Sequence, residues 1–151
     1  MGSKKRYILP ALALGALLGC EDPDPGTLSG DPPSQGPLPD ISFASLWVNP
    51  RQPIEGQSFT VGMTIRNSGA GPVPAGITHV ARWFPDPSSA SAACEWPIGR
   101  LGSLQQVDVS CTYAGSYTNL QSVAVLDATA AVAESNEGNN SLNLPITVVV
   151  R

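Results

Sequence analysis

Residues 59 to 66 read FTVGMTIR, so that Phe59, Val61, Met63 and Ile65 alternate with Thr60, Gly62, Thr64 and Arg66. A period of two puts the apolar side chains on one face of an extended strand and the small or polar ones on the other. Such a strand is stable only when a second layer covers its apolar face. The period recurs where Val107, Val109, Cys111 and Tyr113 alternate with Asp108, Ser110 and Thr112. It recurs again at the end, with Leu142, Leu144, Ile146, Val148 and Val150 on one face and Pro145 outward, a residue suited to an edge or a bulge.

Two segments break or blur the pattern. Ile41 and Phe43 share a phase that Leu46 and Val48 reverse. An extra residue near Ala44 or Ser45 reconciles them, as in a first strand that bulges where it passes from one sheet to another. Between Ile77 and Phe84 we place Ile77, His79, Ala81 and Trp83 inward, because the opposite phase aims Arg82 at the core. Strand-like stretches near residues 41, 58, 77, 93, 106, 120 and 142 are separated by turns rich in Gly and Pro, and no stretch sustains a helical period. Residues 41–151 therefore predict one all-β domain, a seven-stranded immunoglobulin-like β-sandwich.

The N-terminus has a different character. Lys4, Lys5 and Arg6 precede the uncharged run ILPALALGALL, which ends at Leu18 and is followed by Gly19 and Cys20. That run is shorter than the ~20 apolar residues needed to cross a bilayer as a helix, so residues 1–19 are expected to be a cleaved signal peptide. Leu17-Leu18-Gly19-Cys20 resembles a bacterial lipobox, which implies acylation of Cys20 and a stable membrane anchor through its acyl chains. The alternative is an ordinary secretory signal that leaves a free thiol. Residues 20–40 hold five acids, six prolines and three glycines with few large apolar side chains, the composition of a disordered tether. As a coil it would span on the order of 25 Å.

Removal of residues 1–19 leaves five arginines and no lysine against twelve acids, a net charge of −7. That balance excludes nucleic-acid binding through phosphates, which needs a basic patch. Little in the domain suggests catalysis. His79 is the single histidine, read as a core or rim residue, and neither a phosphate loop nor zinc-ligand spacing is present. With Cys20 acylated, Cys94 and Cys111 remain, an even number in an oxidising compartment. If GRLGSLQ turns a hairpin centred between Gly102 and Ser103, the two cysteines face each other and form a disulfide; otherwise they are two buried thiols. Trp47 and Trp96 raise a different possibility, ligand stacking against the apolar face of a polysaccharide ring.

The densest polar stretch is AESNEGNN, residues 133 to 140. Together with Asp127, the side chains of Glu134, Asn136, Glu137 and Asn139 offer the hard oxygens that calcium takes. The same residues also suit a turn into the last strand, with Gly138 at positive φ and Asn139 and Asn140 capping backbone groups.

The run Asp127, Val132, AESNEGNN and a following apolar strand is similar to the closing pattern of the CARDB domain, the cell-adhesion-related domain found in bacteria. PDISF at the start, GQSFTVGMTIRNSG and IGRLGS are fainter echoes of the same family. The resemblance covers residues 39–150 and implies a seven-stranded sandwich used as an extracellular adhesion or spacer module without catalytic activity. The expected protein is thus an exported lipoprotein in the outer membrane, at the cell surface or in the inner membrane. Its partner is expected to be an envelope protein or, alternatively, a polysaccharide.

Overall fold

The computed structural model describes residues 36–115 and 117–150. The expected signal peptide, Cys20 and most of the expected tether lie outside the described residues. Seven strands follow in order: β1 (Ile41–Asn49), β2 (Phe59–Asn67), β3 (His79–Phe84), β4 (Cys94–Ile98), β5 (Gln106–Tyr113), β6 (Leu120–Val125) and β7 (Ser141–Ile146). They form an antiparallel three-stranded sheet, β1-β2-β5, and an antiparallel four-stranded sheet, β4-β3-β6-β7. The seven-stranded sandwich read from the alternation is the one observed.

Between the sheets lie Ile41, Phe59, Val61, Met63, Ile65, Ala81, Trp83, Ala124 and Leu126, all essentially inaccessible to solvent. Burial of each larger side chain is worth about 1.5–3 kcal/mol. Phe59 sits edge-on to Trp83 and Tyr117, with ring centroids 6.3 and 5.2 Å apart, and Trp83 meets Tyr113 at 5.2 Å. Those distances suit the opposed quadrupoles of T-shaped rings. The Tyr117 hydroxyl donates to the carbonyl of Gln57, fixing the β5–β6 connection against the β1–β2 loop.

The bulge is present: Phe43 pairs with Ile65 and Ser45 with Thr64, leaving Ala44 as the extra residue. β1 nevertheless stays on β2 on both sides of the bulge. Contact with the other sheet comes later, where Ile54 forms a parallel bridge to Val149 through Glu55 N–H to Val149 C=O (3.0 Å) and Val149 N–H to Pro53 C=O (2.8 Å). β1 and β7 therefore run side by side in the same direction, one in each sheet, and the chain enters and leaves the sandwich at opposite ends. Pro145 pairs with Gln121 inside the β6–β7 ladder, so its missing N–H falls on the free side of β7.

Several expectations need correction. β4 and β5 are not a hairpin but edge strands of different sheets. The disulfide between Cys94 and Cys111 consequently joins the two layers, with Cα atoms 6.3 Å apart. Trp96 closes the same side by donating its indole N–H to the Ser110 carbonyl at 3.2 Å. On the last strand and its continuation Leu144 is half-buried and Ile146 and Val148 are buried, but Leu142 and Val150 are 41% and 66% exposed, so the apolar alternation is covered only in its middle. In β6 the inward set is Leu120, Ser122 and Ala124, continuing into Leu126. Pro37 to Asp40, tether-like by composition, are packed on the domain: Gly71 N–H donates to Leu38 C=O (3.0 Å) and Ser68 N–H to Asp40 C=O (2.7 Å). A Cβ on Gly71 would collide with the backbone of Pro37, so this close approach requires glycine.

Candidate functional site

The acidic stretch folds into a clasp over the start of β1. Its first part is the loop after β6, where Asp127 adopts the left-handed conformation (φ 41°) and its two carboxylate oxygens accept from the Ala131 and Val132 amides, each at 2.9 Å. Aspartate tolerates that conformation because its short side chain bonds the local backbone. Val132 is thereby pinned into the core and the chain is aimed at β1.

Glu134 follows, buried beneath the first residue of β1. One of its oxygens accepts from the Ile41 N–H at 2.5 Å and the other from the Asn140 amide at 2.9 Å. Burial pushes its carboxyl pKa upward, while those two donors and the distant repulsion of Glu137 and Asp127 act around that dominant cause. Glu137 accepts from the Glu134 N–H at 2.9 Å, and Asn136 caps the 3-10 turn Glu137–Asn139 by accepting from the Gly138 N–H at 3.0 Å. Asn139 donates to the Asp40 carboxylate at 2.7 Å, and Ser135 N–H to Pro39 C=O at 2.8 Å.

This arrangement is close to the turn reading but differs in its parts. Positive φ falls at Asp127 and Ala130 rather than at Gly138. Asn139 and Asn140 turn their amino groups to carboxylates rather than to backbone, and their carbonyl oxygens are buried without a donor. Cation binding would require the carboxylates to converge. Asp127 and Glu134 instead engage both oxygens with N–H donors, and among the described residues no three His, Cys, Asp or Glu side chains come within reach of one ion. Calcium is expected to leave the unfolding midpoint where a chelator leaves it. A calcium-dependent rise that Glu134→Gln abolishes would make the clasp a metal site instead.

One residue that alternation could not single out anchors the whole end. Asn67, the last residue of β2, is fully buried. Its carbonyl oxygen accepts from Asp40 N–H and Gly69 N–H, each at 3.0 Å. Its amino group reaches the carbonyls of Gly71 (2.8 Å), Leu101 (3.1 Å) and Gly102 (3.2 Å). The β2–β3 loop, the β4–β5 loop and the start of β1 are thus tied to one amide. The sequence signal available was an asparagine closing a strand before a Ser-Gly turn, NSGAG.

The tryptophans lie apart. Trp47 is on β1 and its six-membered ring lies flat over Gly62, where an added Cβ would stand 2.1–2.6 Å from the ring atoms. Its outer face is open, the residue being 42% exposed. Trp96 is on β4, at the opposite side of the sandwich, with its N–H engaged by Ser110, so the two indoles make no common platform. Around Trp47 the outward positions of the sheet carry hydroxyls, with Ser45 donating to Thr64 (2.9 Å) and Thr64 to Asp108 (2.6 Å).

His79 is sealed in the core at 0% exposure and neither ring nitrogen has a partner. Desolvation lowers its pKa from 6.5, opposed by the nearby Asp127 charge. The unfolded chain then takes up a proton before the folded one as pH falls. Stability contributed by neutral His79 is complete above the unfolded pKa of about 6.5 and is lost as pH drops toward the lower folded value. Melting between pH 7.5 and 5 is expected to show a decline that His79→Leu reduces; equal declines would place the acid sensitivity elsewhere.

Comparison with solved structures finds the same fold. A CARDB domain from Pyrococcus furiosus, crystallised in complex with di-metal ions, superposes with a TM-score of 0.61 at 18% identity, covering 76% of this chain and 96% of that one. Its solution structure gives 0.57 at 18% identity, over 74% and 96%. A domain of a protein assigned to the cell surface of Methanosarcina acetivorans gives 0.56 at 19% identity, over 74% and 93%. No curated protein matches the sequence. The CARDB family model matches residues 38–144, which hold the first six strands, the clasp, Asn67 and the start of β7, and on that match the chain belongs to the CARDB family.

Proposed function

We propose that this protein is a lipid-anchored, non-catalytic module of a bacterial cell envelope that holds a protein partner away from the membrane. The observation that carries the reading is the docking of residues 39–41 into the clasp: the point where the leader segment meets the domain is fastened by Glu134, Ser135 and Asn139. A module presented on a tether needs its attachment point firmly held, and the opposite end, with the β1–β2, β3–β4 and β5–β6 loops, then faces outward. CARDB membership supports an adhesion-related role. The residues do not support routing that role through metal ions like those held by the Pyrococcus domain.

A second reading rests on Trp47. Its flat, open indole face beside Thr64, Ser45 and Asp108 offers what a sugar ring takes, an apolar stacking surface with hydroxyl partners at its rim.

Two experiments separate these ideas. Cys20→Ala should release the protein from the membrane or leave it unprocessed; partition into detergent at the wild-type level would end the lipoprotein reading. Incubation of the acyl-free protein with envelope protein and glycan fractions should recover a protein partner. Recovery of glycan alone, lost in Trp47→Ala, would favour the second reading.

A further inference from the structure

We propose that the sandwich is built to bear tension applied through its two ends. Gly36 immediately precedes the segment fastened at the clasp end and Val150 lies just beyond the parallel bridge at the far end, with β1 and β7 running in the same direction between them. A pull on these two points drags β1 one way and β7 the other. The bonds that join the two strands to each other and to their neighbours lie across that pull.

At the clasp end they are Ile41 N–H to Glu134, Asn139 to Asp40 and Ser135 N–H to Pro39 C=O, backed by Ser68 N–H to Asp40 C=O and Gly71 N–H to Leu38 C=O. At the far end they are the two bonds between Val149 and the Pro53–Glu55 segment. Sliding β1 past β7 stretches both groups at once, so no bond can open ahead of the rest. The unfolding barrier under load is then the sum of many hydrogen bonds rather than one. A pull on Gly36 and Ser68 is different. β1 and β2 are adjacent and antiparallel there, with Ile41 opposite Asn67, so that load peels the ladder one pair at a time.

The inference extends the reading of the domain as a tethered module, but its test needs no membrane and can fail while the anchor stands. The full chain is held at constant force through bio-orthogonal handles. Gly36, where an added Cβ would meet nothing within 4 Å, takes one, and Val150 or Ser68, both exposed, takes the other. At the same force the lifetime through Gly36 and Val150 is expected to be at least about tenfold longer than through Gly36 and Ser68. Val149→Pro removes the donor to Pro53. It should shorten the end-to-end lifetime about fivefold, the factor commanded by one ordinary hydrogen bond, and leave the Gly36–Ser68 lifetime unchanged. A wild-type lifetime no longer end-to-end than in the peeling geometry overturns the proposal, as does an end-to-end lifetime that Val149→Pro leaves intact.

Discussion

Asn67→Ala is expected to lower the unfolding free energy by about 3–5 kcal/mol, the largest effect of any polar substitution in the domain. Truncation leaves the amides of Asp40 and Gly69 without their acceptor and the carbonyl of Gly71 without its donor, while the Leu101 and Gly102 carbonyls keep only the backbone amides of Val73 and Gln105. The side chain is fully buried, so water reaches these groups only if the loops separate. Each unpaired buried group costs about 1–3 kcal/mol, and partial relaxation of the loops brings the total below a simple sum. Urea unfolding measures the change directly. A loss below ~1 kcal/mol would show that the loops hold one another without the amide.

Reduction of Cys94–Cys111 is the second large effect. The bridge spans a sequence separation of 17, and closing a loop of that length in the unfolded chain is worth about 3 kcal/mol. For a domain of this size the melting temperature should fall by roughly 10–20 °C. Because the bridge links layers rather than neighbours in one ladder, hydrogen exchange should rise in both edge strands, β4 and β5, and least in β1 and β7 at the opposite edges of the two sheets. Titration of two free thiols in the unreduced protein would remove the bridge from the account.

What could be read from alternation was what alternation encodes. The inward sets of β2 and β5, the bulge near Ala44 and the choice of Trp83 over Arg82 are all statements about which face of a strand is apolar, and burial follows them. Which strand lies beside which is not a local property. A hairpin between β4 and β5 satisfies the same cysteine spacing as a bridge between layers, and only the pairing of β4 with β3 decides between them. The clasp was visible as a dense polar stretch, yet its partners, Ile41 and Asp40, are more than ninety residues away in the chain. Its acids could be assigned to turn or metal only once those N–H donors were in place. Asn67 was hidden for a related reason: a buried amide that serves three separate segments has the same local sequence as one that ends a strand.

Pro145 carries a consequence for the protein in company. An edge strand offers a row of free donors and acceptors to any copy that approaches side-on, and the ladder that forms is the first step toward ordered aggregates. The free side of β7 breaks that row where the pyrrolidine ring stands in place of a donor, opposite Gln121. Copies concentrated on one surface can therefore crowd edge to edge without β7 templating a continuous sheet, and Pro145→Thr should make a concentrated solution of the protein measurably quicker to aggregate.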